Sequence, residues 1–533
     1  MKKTIFILPL FFLILTVGAG CTNEEVYNAN GKLVPYTSKT LGIRSLVPED
    51  WIQFFPAGTF VRAMPQSDPT FLIFGAIPGA TSEQIITSLM EQAGIQETPT
   101  RAGNRKTDGF DWTLYNLEIQ QGFLLGYDPD YGSLIADIAL AEADGTVFAV
   151  GSGFPVNERD ALYENIFLPA VDAFEVFNRI ESDDSVAADL PERDYWPTEA
   201  WRKSLPEEQG MNGDKLHEMI AYIKKNEISI RSVIVIRHGY IVLDENIRGY
   251  RSFDKVASVT KSITSALIGI AIDQGYIEGV DQTVLSLFPH REVANLDARK
   301  QKMTVEDLLT MRSGLDWPTG PCWWLDGEVC NYYTDQLMFE DDDSLQFALD
   351  QPMAEEPGTT FNYIAGASHL LSAMISETTG LSALDFAKEN LFEPIGIMGA
   401  IWPTDGEGIN LGYGDIVIDP RDMARFGYLY LNEGQWDGEQ IVSAAWVRAS
   451  QQPLTATNNR GIQPMYGYQW WVNPDLSFYN AAGSGGNYII VVPKQDLVVV
   501  FTSNIEVGQL GQGKWWEGTP EELFRVYILP AVQ

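Results

Sequence analysis

Apolar and polar positions along the chain follow two rhythms. Between about Leu41 and Phe177, short apolar runs at Phe71 to Ala76 and Val147 to Gly151 read as strands. Thr81 to Ala93 repeats its apolar residues at helical spacing behind a Thr or Ser cap, and Ala161 to Phe174 carries a second helical pattern. Mixed signals of this kind predict a small α+β domain over residues 41–180. Residues 181–195, "ESDDSVAADLPERDY", are acidic, contain Pro191 and lack an apolar period, which predicts a linker.

A second domain is predicted from Trp196 to Gln533. Near its start, "RSVIVIRHGYIVLDEN" places two apolar runs around Arg237-His238-Gly239, a hairpin signal. Near its end, Tyr488 to Val492 and Leu497 to Thr502 flank Pro493 to Asp496 in the same way. Helical patterns lie between, at Thr304 to Thr310, Ala367 to Glu377 and Pro420 to Leu431. Strands at both ends with helices between predict an antiparallel sheet covered by helices, with a mostly helical lobe inserted, again α+β in class.

Candidate chemistry sits at the head of one helix. In "SVTKSITSALIGIAIDQG", beginning at Ser258, Val259, Ile263, Ala266, Leu267, Ile270 and Ala271 share a helical face, while Ser258, Lys261, Ser262 and Ser265 fall on another. No charged residue occurs from Ser262 to Ile272, so the helix is expected to be buried all round, with Lys261 buried near its start. Residues three apart on a helix have Cβ atoms roughly 5–6 Å apart. Burial lowers a lysine pKa, and a neutral amine beside a hydroxyl is a general base able to activate Ser258 as a nucleophile. The free N–H groups of the helix start would stabilise developing negative charge there.

Charge and cysteine content narrow the setting. The 533 residues include 72 acidic against 36 basic side chains, a formal charge of -36, which excludes a nucleic acid partner. Lys2 and Lys3, the apolar run Ile5 to Val17, and Gly18-Ala19-Gly20-Cys21 read as a signal peptide over residues 1–20, followed by a polar tether over 21–40. Cys21 after small residues resembles the lipobox of bacterial lipoproteins, although Gly18 stands where Leu is usual. The resemblance implies export, lipidation at Cys21 and a lipid anchor in a membrane. Cys322 and Cys330, eight residues apart, read as a local disulfide outside the cytoplasm. Asp128, Asp130 and Gly132 read as a turn, and Glu340 to Asp343 as a solvated loop rather than a cation site. Among the four histidines, His238 and His369 read as structural. The Trp323-Trp324, Trp470-Trp471 and Trp515-Trp516 pairs are equally open as cleft walls or as core.

Five stretches in order, "SVTKSITSALIGIAIDQGYI", "TVEDLLTMRSGLDW", "PGTTFNYIAGASHLLSAMI", "DPRDMARFGYLYLNEGQW" and "AAGSGGNYIIVVP", resemble the serine β-lactamase and penicillin-binding superfamily, nearest its class C and esterase-like branch. The resemblance spans Trp196 to Gln533 and implies an antiparallel sheet packed by helices beside a helical lobe, with acyl-enzyme chemistry that uses no metal or cofactor. It implies that Tyr363, the Tyr of a Tyr-x-Asn motif, relays a proton beside Lys261, and that the N–H groups of Ser258 and Asn487 form the oxyanion hole. Ala365 replaces the Asn of that motif. Ser484-Gly485-Gly486 replaces the Lys-Thr-Gly or His-x-Gly motif that lines the substrate site. Both departures point away from β-lactams toward an ester, amide or peptide substrate with an uncharged acyl group. A catalytically silent lipoprotein binding cell-wall peptides or small acyl ligands in the same cleft is the alternative expectation.

Overall fold

The computed structural model describes residues 32–38, 41–54, 59–62, 70–78, 80–92, 99–119, 134–143, 145–176, 191–247, 254–318, 320–321, 329–330, 333–457, 463–503 and 520–533. The chain forms two compact units, Met1–Ala187 with Asn459–Ile462, and Ala188–Asn458 with Gln463–Gln533. The signal-like segment, Cys21, Cys322, Asp128 to Gly132, Trp323-Trp324 and Trp515-Trp516 lie outside the described residues.

The first unit is built on a seven-stranded antiparallel sheet. Phe71–Pro78 and Leu134–Ala143 flank its central strand Thr146–Pro155, and the polar strand Thr100–Thr107 forms one edge. Part of the segment expected to be a tether is a strand instead. Leu33–Ser38 pairs antiparallel with Ile43–Pro48, and this small sheet is extended by Glu175–Val176. Tyr36 and Ile43 join a core that includes Phe74, Trp112 and Phe174, which supplies the apolar burial that holds the strand down. The helix expected at Ala161 to Phe174 runs through Arg159–Leu162, Tyr163–Phe167 and Leu168–Asp172, with a π-helical turn in the middle.

The second unit carries an eight-stranded antiparallel sheet. Its strands are β1 (Ile230–Arg237), β2 (Tyr240–Asn246), β3 (Thr455–Ala456), β4 (Met465–Tyr466), β5 (Trp471–Asn473), β6 (Phe478–Gly483), β7 (Asn487–Val492) and β8 (Leu497–Ser503), in the spatial order β2-β1-β8-β7-β6-β5-β4-β3. Both expected hairpins are present, and the first turns through His238 at a φ of 50°. Strands β7 and β8 carry the continuous apolar runs Ile489 to Val492 and Leu497 to Phe501 because both of their faces are covered. Helix α1 (Val259–Asp273) packs on α2 (Ala365–Thr379), while α3 (Pro420–Leu431) lies on β7 and β8. Gly427 permits that seat, since a β-carbon there would come within 2.6 Å of Ile489 and 2.8 Å of Val498.

The end of the expected linker belongs to this unit. Arg193 donates through both terminal nitrogens to Asp496 at 2.7 Å and through Nε to Asn432 at 2.7 Å, and the Tyr195 hydroxyl donates to the Gly239 carbonyl at 2.6 Å. A planar guanidinium satisfied on two sides by fixed acceptors pins residues that lack any apolar period.

Helix α1 is buried from Val259 to Ala271, as its charge-free sequence requires. In its C-terminal half Gly269 faces the Trp446 indole, where an added β-carbon would approach ring atoms to 2.5 Å. Gly269→Ala is expected to destabilise the second unit: overpacking costs about 1–3 kcal/mol and outweighs a helix-propensity gain of up to about 1 kcal/mol. A lower urea midpoint for that unit's unfolding transition checks this; an unchanged midpoint would mean that the indole yields freely.

Candidate active site

The chain enters α1 through Ala257 at a φ of 47°. For a residue with a β-carbon this left-handed geometry costs roughly 1–2 kcal/mol. Thr260 holds it in place, its backbone N–H and its hydroxyl both donating to the Ala257 carbonyl at 3.1 and 2.7 Å. Ser258 follows at the N-cap. A serine there ordinarily accepts an N–H from the first turn, but Ser258 makes no capping bond. Its Oγ lies instead 3.2 Å from Lys261 Nζ.

Lys261 is 3% exposed, and its Nζ donates to the Tyr413 carbonyl at 2.7 Å. The rings of Tyr363 and Tyr413 flank it, with centroids 5.0 and 5.9 Å from Nζ. Burial lowers its pKa to about 8, against the opposing fields of Asp335 and Asp415. A neutral amine keeps two N–H donors and one lone pair. One donor is committed to Tyr413, which leaves the lone pair available to the Ser258 hydroxyl.

Hydrogen bonds to backbone carbonyls anchor the surrounding wall. Thr264 Oγ1 donates to the Gly412 carbonyl at 2.9 Å and Ser262 Oγ to the Gln469 carbonyl at 2.7 Å. These bonds explain why the Ser262 and Thr264 hydroxyls can be fully buried. Gly412 is required where it stands, because a β-carbon would lie 2.1 Å from the Ser368 carbonyl of α2. Tyr363 packs against Trp471 with ring centroids 5.2 Å apart; Trp470 is in the core and Trp471 is partly buried against it.

Ser258 and Lys261 open into a cavity of about 700 Å³, whose wall includes Ala365, Tyr413, Ser484 and Asp335. The four expected substrate-binding residues separate here. Ala365 and Ser484 reach the cavity, whereas Gly485 and Gly486, at φ of 81° and 88°, form the turn between β6 and β7. The glycine that meets the nucleophile is Gly483, where a β-carbon would sit 2.2 Å from the Val256 carbonyl and 3.2 Å from the Ser258 nitrogen. Asn487 does not line the cavity. It is 3% exposed and pairs opposite Gly483 in the ladder, its side chain donating to the Ser484 carbonyl and accepting from the Ser503 N–H. Ser484, and not Asn487, lines the cavity beside Ser258.

Three features of the wall were not expected from the sequence. Asp335 is buried, and its Oδ1 accepts from the Ala365 N–H at 2.9 Å and the Trp317 indole at 2.8 Å. Burial raises its pKa. Its only local signal is a lone acid in the helix Tyr333–Phe339. Tyr413 sits between two glycines, a pattern that signals close backbone approach. Glu340, Asp341 and Asp342 are exposed, as a solvated loop would be, and they also line the cavity. His369 is structural as expected, its Nε2 being 2.9 Å from Asp405, another wall residue.

A base of pKa about 8 is roughly one-tenth neutral at pH 7. If Lys261 must be neutral to act, kcat/KM rises with pH through about 8 and levels above it. Asp335→Asn removes a field that favours the ammonium, so the rising limb moves to lower pH; a limb at the same pH would show that this charge does not govern Lys261.

Comparison with known proteins agrees with this architecture. The sequence model of the Beta-lactamase family matches residues 232–518, more than half of the chain. Beta-lactamase-like protein 2 of Dictyostelium discoideum is 23% identical over 254 residues, and the match covers 43% of each chain, less than half the length of that relative. The 6-aminohexanoate-dimer hydrolase of Paenarthrobacter ureafaciens is 23% identical over 288 residues, 51% of this chain and 71% of that one. A solved Bacillus anthracis structure, provisionally named a 6-aminohexanoate-dimer hydrolase, shares the fold with a TM-score of 0.50 at 21% identity, covering 63% of this chain and 89% of its own. With the buried Ser258–Lys261 pair set at the head of α1 beside an antiparallel sheet, the chain belongs to the Beta-lactamase family.

Proposed function

We propose that the chain is a serine hydrolase that cleaves an ester or amide bond through an acyl-enzyme on Ser258. The observation that carries this reading is the uncapped Ser258 hydroxyl 3.2 Å from a buried lysine whose pKa is lowered to about 8. Lys261 takes the Ser258 proton as Oγ attacks the substrate carbonyl carbon. The N–H groups of Ser258 and Ser484 hold the resulting oxyanion, the role first assigned to Asn487. As the bond to the leaving group breaks, the proton passes from Lys261 by way of Tyr363 to the departing alcohol or amine. Water then attacks the acyl carbon, gives its proton to Lys261, and the acid leaves as the Ser258 hydroxyl is restored.

Ala365, in place of an amide side chain, and Ser484, in place of a cation, favour esters and open-chain amides over β-lactams. The relative named a 6-aminohexanoate-dimer hydrolase supports the amide side of that range. We also propose that the protein is exported and lipid-anchored at Cys21, on the strength of Lys2, Lys3 and the apolar run before it, and that Cys322 and Cys330 form a local clip.

A fluorophosphonate probe is expected to label the protein, and Ser258→Ala to abolish labelling and lower turnover about a thousandfold or more. Mass spectrometry of protein treated with an ester and amide panel should find an acyl adduct on Ser258. Labelling that survives Ser258→Ala, or ligand binding without turnover across the panel, would overturn the reading.

A further inference from the structure

The cavity beside Ser258 is strongly acidic. Among the described residues, its wall carries the carboxylates of Asp335, Glu340, Asp341, Asp342, Asp405 and Asp415 against one cation, Lys261. Several of the six have partners within the fold, Asp341 accepting from the Asp343 N–H at 3.0 Å. Asp405 accepts from His369 and from the Glu407 and Ile409 N–H groups, and Asp415 pairs with exposed Lys255 at 3.2 Å.

Asp335 differs from the others. It is 3% exposed, and both of its hydrogen bonds arrive at Oδ1. Among the described residues the second oxygen, Oδ2, accepts from no donor, and the carboxyl group lines the cavity. A buried carboxylate with an open oxygen is costly unless a donor or cation completes it. The rim in front of it is built rather than incidental. Gly406 packs against the Asp342 carbonyl so closely that a β-carbon would lie 2.4 Å away, which brings the segments of Asp405 and of Glu340 to Asp342 together at one mouth.

We propose that this cavity selects substrates bearing an ammonium group, which donates to the open oxygen of Asp335 and is drawn in by the acidic rim of Glu340, Asp341 and Asp342. The proposal rests on the serine-hydrolase reading and names its substrate class: amino-substituted esters or amides rather than the uncharged acyl groups expected from the sequence. A compact ammonium, with three donors and a full charge, supplies what Oδ2 lacks. Neutral chains leave that oxygen unpaired, and carboxylate-tailed chains are repelled by the rim.

Three fluorophosphonate probes, identical except for a tail ending in ammonium, methyl or carboxylate, test this on the full chain without requiring the scissile bond to be known. The ammonium probe is expected to label Ser258 about tenfold or more faster than its methyl counterpart, the scale of one charge-assisted hydrogen bond, with the carboxylate probe slowest. Added salt should narrow the spread. In Asp335→Asn, which keeps an acceptor for Trp317 and Ala365, the ammonium-to-methyl ratio should collapse toward unity. Asp342→Asn, an exposed change that folding tolerates, should lower the ratio by a smaller, salt-sensitive factor. Equal rates for the ammonium and methyl probes in the unmodified protein, or a full ratio retained in Asp335→Asn, would overturn the proposal while leaving the hydrolase reading intact. If no probe labels Ser258, the hydrolase reading itself fails and the substrate class falls with it.

Discussion

The second unit is organised around the cost of placing a lysine amine inside a helix-packed core. Lys261 has little solvent, so its environment must accept either an ammonium with few partners or a neutral amine. The surrounding structure compromises between the two. The Tyr413 carbonyl takes one N–H, Asp335 and Asp415 support the charge from beyond contact distance, and burial pulls the pKa down to about 8. Stronger pairing would lock the ammonium and remove the base. Weaker support would leave a buried polar head with no partner.

The features around the pair follow from that compromise. Ala257 is held in a left-handed conformation so that Ser258 begins the helix with its hydroxyl turned to Lys261 instead of to its own first turn. Gly412 permits close approach to α2 and Gly483 close approach to Val256 and Ser258, and the neighbouring Tyr413 and Ser484 line the same cavity. The Ser262 and Thr264 hydroxyls of α1 reach neighbouring carbonyls, which lets that part of the helix be buried with its polar groups satisfied. The rigidity matters for chemistry: a nucleophile and its base gain from being set in position before substrate arrives.

Much of the fold was legible along the chain. The hairpins at His238 and at Pro493 to Asp496, and the helices α1, α2 and α3, all carry a local period matched to one buried face or to full burial. Other elements were not legible. Leu134–Ala143 is rich in Ala and reads as readily for helix as for strand; its pairing on both sides decides the matter. Thr100–Thr107 is polar and strand-like only because Phe110–Ile119 lies beside it. Leu33–Ser38 has no strong period, and its partner strand Ile43–Pro48 makes it a strand rather than a tether.

For the site, the chain alone determined what depends on neighbours in sequence. Ser258 and Lys261 are one helical turn apart, and the uncharged residues after them require burial, so nucleophile and base follow from spacing and composition. Tertiary structure decided everything that depends on residues far apart in the chain. The approach of Gly483 to Ser258 sets Ser484 beside the nucleophile and leaves Asn487 in the ladder, a choice of register that a glycine-rich turn does not reveal. Asp335, 74 positions after Lys261, enters only because the helical lobe folds over α1. Local period reports which face of an element is buried, but not which distant charge will share that burial, and here the distant charges give the cavity its character.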